Sequence, residues 1–91
     1  MKSIPPEESL IEYPCDFPIK VMGKAHSDFV QVLTGVVLRH DPAFDPDTAE
    51  VRSSKGGNYL SVTFTVRATS REQLDDLYRD LHGHPMVSIV L

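Results

Sequence analysis

Ten consecutive residues, Tyr59 to Ala68, alternate without a break. Leu60, Val62, Phe64, Val66 and Ala68 are apolar, and Tyr59, Ser61, Thr63, Thr65 and Arg67 stand between them. Successive side chains of a strand point to opposite faces, so this segment reads as a strand with one dry face and one wet face. A sheet built around it is covered on one side only. The cover must come from the rest of a chain of 91 residues, which has room for one domain and one core.

Two segments have the helical period instead. Over 28–40, Phe29, Val32, Leu33, Val36 and Val37 form one stripe at the i, i+3, i+4, i+7 spacing, with Ser27 as the expected N-cap and Asp41-Pro42 as the stop. Over 71–82, Leu74, Leu77, Tyr78 and Leu81 form a second stripe. Ser70 and Gln73 supply a capping-box pattern before it, and Gly83 and Pro85 end it. Three further strands complete the reading. Phe17 to Met22 places Phe17, Ile19 and Val21 inward, with Gly23 as its end. Thr48 to Ser54 has Val51 as its clearest core residue. Met86 to Leu91 is expected to turn Val87, Ile89 and Leu91 inward. Ala43 to Asp47 reads as a loop. Lys55-Gly56-Gly57-Asn58 reads as the turn of a hairpin, because Gly and Asn tolerate positive φ.

The order is β-α-β-β-α-β. It predicts an α+β, ferredoxin-like two-layer sandwich, with both helices on one face of an antiparallel sheet of strand order 4-1-3-2. Phe29, Leu33, Val36, Leu60, Val62, Phe64, Leu74, Leu77 and Ile89 are expected to be buried. The open face is expected to carry Lys20, Met22, Tyr59, Ser61, Thr63, Thr65, Arg67 and Ser88. Residues 1–14, punctuated by Pro5, Pro6 and Pro14 and wetted by Glu7, Glu8 and Glu12, read as a flexible N-terminal tail. Leu10, Ile11 and Tyr13 could dock that tail on the domain, which occupies 15–91.

With these elements in place, Phe17-Pro18-Ile19-Lys20-Val21-Met22-Gly23 and the hairpin Ser53-Ser54-Lys55-Gly56-Gly57-Asn58-Tyr59-Leu60-Ser61-Val62 resemble the YbeD-like family of small bacterial proteins. Arg71-Glu72-Gln73-Leu74, Leu77-Tyr78 and the ending Val87-Ser88-Ile89-Val90-Leu91 fit the same family, so the resemblance spans 13–91. It implies a ferredoxin-like fold akin to ACT-type regulatory domains. It implies no established activity and supplies no catalytic residue.

The chemistry-bearing residues point the same way. Nine basic and thirteen acidic residues give a net charge of −4, which is not the electrostatic footprint of a nucleic-acid or anionic-membrane binder. An RRM-like reading also needs stacking aromatics on the open sheet face, and Tyr59 alone stands there. One cysteine, Cys15, cannot form an intrachain disulfide, and its neighbour Asp16 disfavours a thiolate. A reducing, cytoplasmic setting is therefore expected. The N-terminus lacks the apolar core of a signal peptide, and no apolar run approaches the roughly 20 residues of a membrane helix. His82-Gly83-His84 offers two imidazoles without a third ligand at a recognisable spacing. Lys55-Gly56-Gly57-Asn58 lacks the order of a phosphate-binding P-loop. No metal, no cofactor and no catalytic residue is assigned.

The leading reading is a non-enzymatic regulatory or interaction domain that binds a small metabolite or a partner protein, with a homodimer as one form. A small enzyme or metal-binding protein built on the His-bearing loops, and an RRM-like binder, are the alternatives. In this topology three connections share one pole, gathering Gly23, Lys24, His26, Lys55, Gly56, Gly57, Asn58, His82 and His84 as the candidate anion or ligand site. Asp41, Asp45 and Asp47 fall at the opposite pole.

Overall fold

The computed structural model describes residues 12–91, so Leu10 and Ile11 lie outside the described residues. The elements run β1 (Cys15–Lys24), α1 (Phe29–His40), a 3-10 turn (Pro46–Thr48), β2 (Glu50–Ser53), β3 (Tyr59–Ala68), α2 (Arg71–His82) and β4 (Ile89–Val90). The sheet order is β2-β3-β1-β4 and every pair is antiparallel, which is the expected 4-1-3-2 order. The long central pair is in register from Cys15 opposite Ala68 to Lys24 opposite Tyr59.

Partners across an antiparallel pair share a face. Ile19 and Val21 of β1 therefore lie beside Phe64 and Val62 of β3, and all four are fully buried under the helices. Phe29, Leu33, Val36 and Val37 of α1 and Leu74, Leu77 and Leu81 of α2 close the core from above. Val32, expected on the α1 stripe, lies at its margin and stays 36% exposed. Phe44 joins this core from the loop after α1, meeting Phe64 edge to face with ring centroids 5.7 Å apart.

The caps follow their chemistry. Ser70 Oγ accepts the Gln73 N–H at 3.1 Å, as the capping box requires. The Gln73 amide does not return to Ser70, however. Its oxygen accepts the Thr69 N–H, and its nitrogen donates to the carbonyls of His40 and Arg67, so it ties α1, β3 and α2 together. Gly83 takes the C-cap position of α2 with a right-handed φ of −83°. At α1 the N-cap is Asp28 rather than Ser27, because His26 Nδ1 accepts the Asp28 N–H and starts the helix one residue later.

Four expectations about burial need correcting. Val51 pairs with Val62 and so has the core-side parity, yet it is 48% exposed, because β2 is an edge strand that the helices leave uncovered. Leu60, near the start of β3, is only half-buried for the same reason of position. In β4 the phase is the reverse of that expected. Val90 pairs with Val21 on the core side, and Ile89 pairs with Met22 on the open side, leaving Ile89 48% and Leu91 66% exposed. Ser88 precedes the strand and is exposed, and Val87, also ahead of the strand, packs against the core as expected. β4 is also short. The ladder is extended by backbone bonds from Ser88 N–H to the Met22 carbonyl and between Lys20 and Leu91 in both directions.

Candidate functional site

Topology brings three connections to one pole, and Gly23 lets two of them pack closely there. Its position is buried, and a Cβ there would fall inside the radius of the Met86 carbonyl oxygen and 2.6 Å from Phe29 Cε1. The chain entering β4 thus lies directly against the end of β1, over the first residue of α1. On the other side, the Ala25 N–H donates to the Asn58 carbonyl at 2.9 Å and fastens the β1–α1 connection to the hairpin turn. The turn closes through the Gly57 N–H on the Ser54 carbonyl, with Gly57 at φ +77°, a conformation that favours glycine. Tyr59 N–H on Ser54 Oγ fixes the turn further.

Lys24 and Ala25 stand between two solvent-open depressions. One, of about 440 Å³, is lined by Lys24, Ala25, Gly57, Asn58 and Tyr59. The other, also about 440 Å³, is lined by Lys24, Ala25, His26, Pro85, Met86 and Ser88. Lys24 has no carboxylate within ion-pair distance among the described residues. Its ammonium is therefore available to an incoming anion.

The remaining residues of the expected cluster are arranged differently. Lys55 and Gly56 are exposed at the hairpin tip and line neither depression. His82 turns along α2 and stacks on Tyr78, with ring centroids 6.3 Å apart. His84 Nδ1 accepts the Met86 N–H at 3.1 Å within its own loop. His26 borders the second depression, but its Nδ1 is occupied by the Asp28 N–H, and its carbonyl accepts the Phe29 N–H. Two donors near the start of α1 are thereby already used, which weakens the helix end as an anion site. The three imidazoles do not converge, and among the described residues no group of three His, Cys, Asp or Glu side chains could hold a metal ion.

The opposite pole is held by structural bonds. Asp41 is buried and accepts the Arg67 N–H at 2.9 Å, anchoring the end of α1 to β3. Asp45 accepts the Asp47 N–H and caps the 3-10 turn. His40 Nε2 meets Asp80 Oδ2 at 2.6 Å, bridging α1 to α2. That hydrogen bond, with the nearby charges of His40, Arg39 and Arg79, holds the Asp80 carboxyl below the ordinary range against a smaller opposing desolvation. Burial pushes the Tyr78 hydroxyl up. Sequence reasoning placed the connection that carries Pro85 at the basic pole but missed the part played by Tyr59 and Met86 in shaping it. Alternation put Tyr59 on the open face, and the register of β1 against β3 set it beside Lys24.

Among the described residues no helix is long and apolar enough to cross a membrane. By shape, the chain is similar to the solution structure of protein HP0495 from H. pylori. The TM-score is 0.73 at 16% identity, over 99% of this chain and 98% of that one. It is also similar to the ACT domain from the GTP pyrophosphokinase of Chlorobium tepidum, with a TM-score of 0.57 at 18% identity over 85% of this chain and 97% of that one. The fold is thus ferredoxin-like and ACT-like. By sequence, the chain is 77% identical to a UPF0250 protein of Bordetella parapertussis and 62% identical to one of Leptothrix cholodnii. Each match covers 91 residues and the whole of both chains. The profile of the family described as "Protein of unknown function (DUF493)" matches residues 8–91. The resemblance carried by the first strand and the hairpin is borne out, and the chain belongs to the DUF493 family, whose members include the YbeD-like UPF0250 proteins of bacteria.

Proposed function

We propose that this chain is a non-catalytic regulatory or interaction module. It holds a carboxylate or similar small anion, carried by a metabolite or by a partner protein, at the pole centred on Lys24. The supporting observation is the position of Lys24. It forms the wall common to two depressions, has no carboxylate partner among the described residues, and faces turn backbone at Gly57 and Asn58. An ammonium with three donors and a glycine-bearing turn suit a small anion bound from solvent. The ACT-like fold is compatible with a regulatory role, but by analogy alone.

Amide chemical shifts of isotope-labelled protein test this reading. Inorganic phosphate, nucleotides and free amino acids are titrated separately at about pH 6 and about pH 8, bracketing the ordinary histidine range. The expected result is saturable movement at Lys24, Ala25, Asn58 and Tyr59 with one of these classes, abolished by Lys24→Gln. Flat shifts at those residues for every compound at both pH values overturn the pole as a small-anion site.

A further inference from the structure

The helices cover one face of the sheet, and the other is sorted by charge. Register places Asp16, Lys20, Lys24 and Arg67 on the uncovered face, together with Glu50 and Arg52 of β2. Four cations thus oppose two carboxylates on one face of a chain whose net charge is −4. Arg67 is neutralised by Asp16 at 3.2 Å. Lys20 and Arg52 have no carboxylate within ion-pair distance among the described residues. The molecule's negative charge lies elsewhere, including the exposed Glu72, Asp75, Asp76 and Asp80 of α2.

A groove of about 230 Å³ crosses this face, with Lys20 and Arg52 among its walls, Met22 and Tyr59 giving it apolar surface, and Ser61 adding a hydroxyl. Strand geometry sets its span. Lys20 and Arg52 stand on strands either side of β3, two residues apart in register, which puts their Cα atoms about 12 Å apart. A single small anion would engage both only by drawing the two long side chains together, whereas two separate carboxylates meet each cation where it stands. An extended polypeptide advances about 13 Å over four residues and repeats its side-chain direction every second one. Two carboxylates at i and i+4, with an apolar side chain at i+2, would reach both cations and the Met22–Tyr59 surface together.

We propose that this groove docks an extended acidic segment of a partner protein, of the pattern acid–x–apolar–x–acid. The groove adjoins the Lys24 pole and shares Tyr59 with it, but Lys20 and Arg52 line neither depression there, so the proposal does not depend on the reading of that pole. Single-stranded nucleic acid fits the face less well, because Tyr59 is the one aromatic among the strand residues of the uncovered face, and base stacking needs a platform.

The test is fluorescence anisotropy at low salt with a labelled peptide Ser-Glu-Thr-Leu-Thr-Glu-Ser and its counterpart with both Glu replaced by Gln. The expected result is saturable binding of the acidic peptide that weakens with salt, and weaker binding of the Gln peptide. The double variant Lys20→Gln/Arg52→Gln should lose at least about fivefold in affinity, since two partly exposed charge pairs are removed. Arg39→Gln/Arg79→Gln likewise removes two positive charges, on the helical side, and should stay within about twofold. Both variants alter exposed side chains, and their thermal melts check that the fold is intact. Equal binding of the two peptides, an unchanged double variant, or no saturable binding at millimolar peptide each overturns the proposal. Tighter binding of an oligouridylate than of the acidic peptide assigns the face to nucleic acid and overturns it too.

Discussion

Replacing a glycine by alanine should have opposite effects at two positions of this chain, and the structure gives the reason for each. At Gly23 the added Cβ meets the Met86 carbonyl oxygen inside van der Waals contact and Phe29 Cε1 at 2.6 Å. Neither neighbour can yield cheaply. Phe29 is fully buried, and the Met86 backbone leads into the chain bonded to β1 through the Ser88 N–H and the Met22 carbonyl. Overpacking of this kind costs typically 1–3 kcal/mol, and contact with backbone places Gly23→Ala near the top, at about 3 kcal/mol. At Gly35, on the exposed side of α1, the added Cβ meets nothing within 4 Å. Alanine there improves helix propensity and restricts the unfolded chain, so Gly35→Ala should stabilise by about 0.5–1 kcal/mol. For a domain of this size, 3 kcal/mol corresponds to a fall in Tm of roughly 12–24 °C. Urea and thermal unfolding followed by circular dichroism read both variants. A Gly23→Ala protein within about 0.5 kcal/mol of wild type would show that β4 does not approach β1 as described. A destabilised Gly35→Ala protein would show that the solvent side of α1 is misassigned.

Phe64→Ala empties a fully buried site that Phe44 packs against and should cost about 3–5 kcal/mol by urea unfolding; a wild-type-like midpoint would contradict the core assignment. Asp80→Asn tests the bridge between the helices through pH. The folded-state pKa of Asp80 lies below its ordinary value of 3.8, so its contribution is fully present above that value and is lost as pH falls through the folded pKa. The gap in urea midpoint between wild type and Asp80→Asn, measured at about pH 5.5, should narrow on acidification below that value and close; a gap that widens there would reverse the sign of the linkage.

The sequence determined the elements, their order and most of the core of β3 and α2. β3 spans Tyr59–Ala68 as its alternation requires, because polar residues at every second position leave one phase only. The Ser70–Gln73 cap and the Leu74, Leu77, Leu81 stripe were legible for a similar reason: cap chemistry and helical period are local. Tertiary structure decided the rest. The Met86–Leu91 segment has apolar residues at both parities, so alternation could not choose its phase, and pairing of Val90 with Val21 chose it. Val51 has the core parity, but burial depends on whether a helix reaches the edge strand, which no local pattern encodes. Phe44 sits in a loop with no period and became core only through the ring of Phe64. At the basic pole, topology brought the connections together, as the element order implied. Which side chains face one another was set by loop hydrogen bonds that are invisible in the sequence. His26 and His84 each accept a backbone N–H and His82 stacks on Tyr78, leaving Lys24 between the two depressions. Local periodicity fixes which face a residue can present; only packing between distant segments fixes what that face meets.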